Sequence, residues 1–153
     1  MSERKALYAS PGEKGKRGFE DLECFQLALA VMTKIHEFSK NLPVEEKYDL
    51  FSQIRRSSKS VTANIAEGYG RYHYLDSLRY YSIARGELNE TLGHLINAKV
   101  LNYLDQKSFD ELYKIIRETE QTLNGYMSYV RPSALAPRSS ATSPFMRNQQ
   151  TTS

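Results

Sequence analysis

The most distinctive stretch of the chain combines basic and small residues and then two glycines: FSQIRRSSKSVTANIAEGYGR, residues 51–71. Three cations lie close together in it, Arg55, Arg56 and Lys59. On a helix, Arg55 and Lys59 are one turn apart and share a face. Because lysine and arginine side chains bind phosphates, this spacing predicts a nucleic-acid-binding surface.

Further cations follow this run. Arg71 lies just beyond it, and Arg79 and Arg85 lie in the next predicted helix. Tyrosines, which can stack on bases, are interleaved with them: Tyr72, Tyr74, Tyr80 and Tyr81. Two alternatives remain open for the cations, phosphate contacts or pairing within the chain. An internal partner for Arg56 would be Glu87 or Glu90, since arginine suits bidentate pairing with carboxylates.

The end of the run contains polar and glycine positions that a helix must accommodate. The small residues before it should let another helix approach closely: Ser57, Ser58, Ser60, Thr62 and Ala63. Asn64 is a polar position among apolar ones. A carboxylate near a helix C-terminus is disfavoured by the helix dipole, so Glu67 needs a partner, and Arg71 is the nearest candidate. Gly68 and Gly70 are expected to end the helix in a turn that uses the backbone freedom of glycine.

Enzyme chemistry finds little support in the residue pattern. Metal sites in helix bundles need two glutamates and two Glu-x-x-His pairs, whereas Glu90 and His94 are four residues apart and unrepeated. His73 lacks a second acid–base group at a fixed spacing. Cys24, the single cysteine, has no positive neighbour that would activate its thiol. The chain is therefore predicted to be non-enzymatic, with no catalytic residue, metal or cofactor.

Four segments with apolar residues at three- and four-residue steps position these side chains. The first three are predicted to span about residues 21–42, 45–67 and 74–101. The fourth is predicted to be capped by Asp105 or Ser108 and to run to about residue 130. Connections of only a few residues force neighbouring helices to be antiparallel. The predicted fold is all-α, an antiparallel up-down-up-down four-helix bundle.

The ends of the chain differ from its middle in composition and charge. Residues 1–18 and 132–153 are rich in Gly, Pro, Ser and Thr and are predicted to be disordered tails that flank a bundle at residues 19–131. Pro132 is expected to end the last helix. Residues 1–19 carry five basic and two acidic side chains, residues 131–153 three basic and none acidic, and the bundle between them is net acidic. Nucleic-acid binding must then come from a local patch or from the tails.

Location and assembly can also be predicted. No apolar run is long enough to span a bilayer, and no secretory signal is recognised, so a cytoplasmic location is expected. The first helix has two offset apolar rows, which either enter one core together or divide between the core and a neighbouring subunit. Eleven tyrosines without tryptophan suit half-wet interfaces, so self-association is expected.

One family resemblance is carried by these motifs. Residues 54–71 resemble the pattern I-R-R-A-x-x-S-[IV]-x-x-N-I-A-E-G-x-x-R of the four-helix-bundle family named for intervening sequences in 23S ribosomal RNA genes. Residues 19–22, FEDL, are similar to the family's opening. Residues 83–90, IARGELNE, are similar to its third-helix run, with Glu87 where serine is commoner. The resemblance covers residues 19 to about 130.

The resemblance implies an assembly and a class of function. It implies a homopentamer of four-helix bundles without established catalytic activity, in which the motif positions Asn64, Glu67, Gly68, Gly70, Glu87 and Glu90 are structural. The accessory variability proteins of diversity-generating retroelements have a similar fold and bind a reverse transcriptase and its nucleic acid. Three hypotheses remain open: an oligomeric module that binds structured RNA or DNA, a reverse transcriptase accessory subunit, and a purely structural or toxin-like interaction protein.

Overall fold

The structure, a computed structural model, describes Tyr8 and residues 10–135. Its helices are α1 (Glu23–Ser39), α2 (Leu50–Tyr69), α3 (Tyr74–Val100) and α4 (Gln106–Ala134), with single 3₁₀ turns at Phe19–Asp21 and Val44–Glu46. The described residues contain no strand. None of these helices has the combination of length and hydropathy that crossing a membrane requires. The all-α fold and the four helices are thus confirmed.

The helices form a closed square in which each packs on two neighbours. α2 and α3 make the most extensive pair, α4 lies between α3 and α1, and α1 is diagonal to α3. Residues 70–73 join α2 to α3, and residues 101–105 join α3 to α4. Such short connections leave room only for antiparallel neighbours, so the chain runs up, down, up and down.

Small polar residues account for part of the close approach of α2 and α3. Ser57 and Ser58 are buried in α2. The Thr91 hydroxyl of α3 donates to Ser57 Oγ at 2.8 Å, and Ser57 Oγ donates to the Ile54 carbonyl at 3.2 Å. Buried hydroxyls need such partners because an unsatisfied one is costly. The predicted close approach is confirmed at Ser57, Ser58 is also buried, and Ala63 is exposed.

Gly68 also contributes to the close approach of α2 and α3. It does so because it has no side chain, and not because it forms a turn. It lies inside α2, and Gly70, which follows the helix, has a φ of −78°, so neither uses the left-handed region. A Cβ on Gly68 would lie 2.7 Å from Tyr81 Cε1 and 3.0 Å from the Ser77 carbonyl oxygen. The prediction of a glycine-dependent turn is wrong, since Gly68 is required by the packing of the Tyr81 ring.

The apolar surface of α1 is absorbed by its own bundle. Leu27, Val31, Ile35 and Phe38 are buried, and Leu22 and Leu29 of the other row pack against the core. No large apolar side chain of α1 or α2 is exposed. The two apolar rows of α1 therefore enter one core together, and α1 supplies no argument for self-association.

Two apolar residues of α3 lie outside the core. Leu75 and Ile96 belong to the apolar periodicity that predicts this helix, but they are 61% and 43% exposed. They lie on the outer side of α3, away from the faces that pack on α2 and α4. Excess apolar surface therefore exists on this molecule, but on α3.

The end of α4 also differs from the prediction. The helix continues through Pro132 to Ala134 instead of ending before the proline. Proline lacks an N–H, so the helix forgoes one hydrogen bond, to the carbonyl of the exposed Ser128. Val130 and Ala134 are buried on either side and hold the last turn on the bundle. At the other end, Asp105 caps α4 by accepting from the Ser108 N–H at 2.7 Å.

Part of the predicted N-terminal tail is attached to the bundle. The Asp21 carboxylate accepts from the N–H groups of Gly15 at 2.7 Å and Arg17 at 3.1 Å, and from the Arg17 guanidinium at 2.9 Å. Burial acts to raise the pKa of Asp21, but these bonds lower it overall. Gly15 and Arg17, which precede the predicted boundary at residue 18, are thus held by Asp21. Residues 1–7 and 136–153 of the two predicted tails lie outside the described residues.

Gly68→Ala should lower the free energy of unfolding by about 1–3 kcal/mol, because the added methyl group meets Tyr81 and the α3 backbone. Urea unfolding followed by circular dichroism measures this. The matched control is Gly125→Ala on α4, whose Cβ would meet nothing within 4 Å and which should stabilise by about 0.5–1 kcal/mol. Equal effects of the two substitutions would contradict this packing.

Candidate nucleic-acid interface

The six cations predicted to contact nucleic acid all lie on α2, on α3 or in the turn between them: Arg55, Arg56, Lys59, Arg71, Arg79 and Arg85. They do not form one uniform basic patch, because their partners differ. Two are paired with carboxylates, two bond only to neutral groups, and two form neither an ion pair nor a side-chain hydrogen bond with any described residue. These differences decide which of them are available to a phosphate.

Arg55 is a structural clamp between α1 and α2. Its Nε donates to Ser39 Oγ at 2.6 Å, and one terminal nitrogen lies 3.5 Å from the His36 carbonyl oxygen. Its guanidinium lies over the Phe51 ring, 4.0 Å from the centroid. The last carbonyls of a helix lack partners and attract cations, so Arg55 stabilises the C-terminus of α1. Its partners are neutral, and its positive charge is not cancelled.

Arg56 is paired with carboxylates of its own chain. Its terminal nitrogens donate to Glu90 Oε1 at 2.5 Å and to Glu87 Oε2 at 3.5 Å. His94 Nε2 lies 3.4 Å from the same Glu90 oxygen. The hydrogen bond from Arg56 lowers the pKa of Glu90, whereas burial raises the pKa of Glu87. The internal pairing of Arg56 is confirmed, with both glutamates, and these carboxylates offset its positive charge.

Arg71 is engaged in the same way at the end of α2. It donates to Glu67 Oε1 at 2.6 Å and to the Tyr80 hydroxyl, and its guanidinium lies 4.4 Å from the Tyr80 ring centroid. The predicted pairing of Glu67 with Arg71 is confirmed. Because Glu67 neutralises it, Arg71 adds little positive potential to the surface.

The remaining cations keep their charge. Arg85 donates to Asn124 Oδ1 at 3.0 Å and so joins α3 to α4 through a neutral partner. Lys59 and Arg79 are exposed. Neither forms an ion pair or a side-chain hydrogen bond with the residues that the structure describes. Lys59 and Arg79 are therefore the accessible members of the predicted set.

The tyrosines divide between the surface and the core. Tyr74 and Tyr81 are fully buried, and Tyr80 lies under Arg71. Burial raises the pKa of Tyr81, first among the causes, so its hydroxyl stays protonated. Tyr72 is 51% exposed, and its ring lies at 87° to the His73 ring, with 4.7 Å between the centroids. Of the four tyrosines predicted to stack on bases, only Tyr72 presents an open ring.

The polar motif positions act within the fold. Asn64 is half-buried, and its side-chain nitrogen donates to the Ser60 carbonyl at 2.8 Å inside α2. Glu87 and Glu90 hold Arg56 across the α2–α3 interface. The structure therefore joins the second-helix and third-helix motifs through Arg56.

The candidate reactive groups take ordinary positions. Cys24 is 1% exposed, and burial raises the pKa of its thiol to about 12. His73 is an exposed residue at the N-cap of α3. No cluster of three metal-ligating side chains occurs in residues 10–135.

Two structural roles escaped the sequence analysis. The clamp between Arg55 and Ser39 joins residues 16 positions apart on different helices, so no local spacing reveals it. The stacking of Arg55 on Phe51 had a signal, since an aromatic residue four positions before an arginine shares its helix face. The anchoring of Asp21 by Arg17 had the same four-residue spacing, in a segment that its composition marked as disordered.

Comparisons with known proteins place this geometry in a family. A family model described as 23S rRNA-intervening sequence protein matches residues 20–125. Among solved structures, the chain is similar to a protein of unknown function from the S23 ribosomal protein family of Bacteroides thetaiotaomicron, with 25% sequence identity and a TM-score of 0.64. That match covers 68% of this chain and 97% of the other. No curated protein matches the sequence significantly.

Arg55→Ala should lower the free energy of unfolding by about 1–3 kcal/mol, because it removes the bond to Ser39 and the cap on α1. Lys59→Ala, four residues along the same helix, should change the free energy of unfolding by less than about 0.5 kcal/mol. Urea unfolding of both variants provides the comparison. A destabilisation by the lysine variant that equals the arginine variant would refute the clamp.

Glu90→Gln should make stability less dependent on pH in the acid range. The folded pKa of Glu90 lies below its ordinary value of 4.5, so its contribution is complete above that pH and is lost as pH falls through the folded pKa. Since Glu90 is more than a third exposed, the effect at neutral pH should stay below about 1 kcal/mol. Urea midpoints near neutral pH and at about pH 3 test this, with the exposed Glu111→Gln as control. A difference from wild type that is unchanged by pH would contradict the assignment.

Proposed function

Because the chain belongs to the 23S rRNA-intervening sequence protein family, we propose that it is a non-enzymatic protein that binds structured RNA or DNA through cations on α2 and α3. RNA is the favoured nucleic acid, since ribosomal RNA stands in the family's name. The observation that carries the proposal is the exposure of Lys59 and Arg79, neither of which forms an ion pair with a described residue. Arg55 and Arg85 add positive charge beside them, because their partners are neutral.

The number of free cations bears on how the protein would bind. Each phosphate contact contributes to affinity through counterion release, so Lys59 and Arg79, the two members of the predicted set without a side-chain partner among the described residues, provide only weak attraction in one chain. Several copies in one assembly multiply those contacts and raise the overall affinity without any new contact type. We therefore propose that binding requires self-association. Five chains is the number that the family resemblance implies.

A protein partner is the alternative source of function. As an accessory subunit of a reverse transcriptase in a diversity-generating retroelement, the chain would act through protein contacts as well as through RNA or cDNA. A reverse transcriptase gene beside this one, with template and variable repeats, would favour that role. Insertion within a ribosomal RNA operon would favour direct binding to RNA.

Binding of a structured RNA hairpin by the full chain should weaken as salt increases, and Lys59→Glu combined with Arg79→Glu should reduce it by at least tenfold. The double variant should also flatten the plot of log affinity against log salt by about one unit for each phosphate that the protein no longer neutralises. Filter binding at several salt concentrations gives both quantities.

Lys34→Glu combined with Lys114→Glu is the matched control. Both lysines are exposed on α1 and α4, and the charge change is the same. If this control weakens binding as much as the α2–α3 variant does, binding follows overall charge and not the proposed surface. Salt-independent binding of the wild type would count against phosphate contacts altogether.

A further inference from the structure

One face of α3 shows a pattern that its own bundle does not explain. Positions at alternating steps of four and three residues run along the whole helix, and all eight are exposed. Such alternation is the spacing of a seam between two packed helices. The residues of this α3 seam are Leu75, Arg79, Ser82, Gly86, Asn89, Gly93, Ile96 and Val100.

The α3 seam is more apolar than a solvent-facing helix surface. Leu75 is 61% exposed at one end, and Ile96 and Val100 are 43% and 73% exposed at the other. Ile83 lies beside the seam and is 42% exposed. Arg79 is the single charged residue among the eight. A surface helix ordinarily places polar side chains on this side.

Two glycines in the middle of the seam are not required by packing against any described residue of the chain. Gly86 and Gly93 lie one heptad apart, and a Cβ on either would meet nothing within 4 Å. Glycine inside a helix is destabilising relative to alanine. At Gly68 the Tyr81 ring leaves no space for a larger side chain. At Gly86 and Gly93 no neighbouring atom of the bundle excludes one. Glycines at these positions allow another helix to approach closely, because interaxial distance depends on side-chain size at the contact.

We propose that the α3 seam packs in an antiparallel arrangement against the α3 seam of a second copy of this chain. Each end of the seam carries an exposed aliphatic side chain and its middle carries small residues, so an antiparallel pair places like with like at every level except that of Arg79 and Ile96. Residues equally far from the midpoint then lie level in the pair: Leu75 with Val100, Arg79 with Ile96, Ser82 with Gly93, and Gly86 with Asn89. Apolar ends meet apolar ends, and the small residues meet at the centre.

Charge and size are consistent with this occupant. The stem of Arg79 covers Ile96 of the second copy while its guanidinium reaches water, and no two like charges of the seam lie level. The 27 residues of α3 give a contact about 40 Å long. Eight seam residues and their neighbours fall short of the roughly 20–30 residues a side of a standard interface, so the contact is weak and depends on concentration.

This contact deepens the self-association in the proposed function. A two-fold contact joins units in pairs, whereas a ring of five needs head-to-tail contacts at another surface. Disruption of the seam therefore halves the assembly mass, from two chains to one or from ten to five.

Gly86→Ala combined with Gly93→Ala tests the seam, because alanine favours the helix but separates the two copies. The variant should have a higher melting temperature at low concentration and half the wild-type mass by light scattering across the micromolar range. Gly125→Ala on α4, also exposed and without neighbours, should raise the melting temperature and leave the mass unchanged. Leu75→Glu combined with Val100→Glu should halve the mass as well. A monomeric wild type, or a mass that neither seam variant changes, overturns the proposal.

Introduced cysteines test the orientation. Ser82→Cys and Gly93→Cys chains, mixed and oxidised, should cross-link to each other in preference to themselves, because these positions lie level only in an antiparallel pair. Cys24 is buried and does not compete. Preferential cross-linking of each variant to itself overturns the antiparallel contact. Lys59 lies on α2 and outside the α3 seam, so RNA binding by the Lys59→Glu variant, measured at unchanged mass, tests the proposed function alone and the two failures are distinguishable.

Discussion

The close packing of α2 on α3 is the constraint on which the rest of this molecule depends. Ser57, Thr91 and Gly68 remove the side-chain bulk that would keep the two helices apart, and the Tyr81 ring fills the space beside Gly68. Interiors are packed at crystal-like density, so a single added methyl group at such a contact is felt. The same approach brings Arg56 within reach of Glu87 and Glu90. The packing of these helices thus decides which cations are paired within the chain and which are left unpaired on its surface.

This division changes the meaning of the basic run on α2. A sequence of three nearby cations suggests a binding patch, yet Arg55 supports the end of α1 and Arg56 neutralises carboxylates of α3. Buried or half-buried charges are stable only when paired or hydrogen-bonded, and the fold meets that need first. Few cations of the predicted set are then left unpaired on one chain, and for this reason we propose that nucleic-acid binding requires self-association. The apolar outer face of α3 supplies a route to such joining that the rows of α1 do not.

The sequence predicted what depends on periodicity and local spacing. Four apolar periods gave four helices, the acid before the last helix gave its cap, and the four-residue spacing gave the pair of Glu67 and Arg71. What it did not predict depends on neighbours distant in sequence. The role of Gly68 is set by a ring 13 positions away on another helix, and the clamp of Arg55 by a serine 16 positions before it. Periodicity also does not show which apolar side chains of a helix face the core, so it gave no sign that Leu75 and Ile96 are exposed.

The measurement that tests this account most directly follows the arginine Nε–Hε resonances by NMR as a structured RNA is added to the full chain at low salt. Arg79, which forms no ion pair with a described residue, should shift in proportion to bound RNA. Arg55 and Arg56, which are held by Ser39 and Glu90, should keep their resonances throughout the titration. Shifts at Arg55 and Arg56 with none at Arg79 would show that the internal contacts open for RNA, and would contradict the division of cations described above.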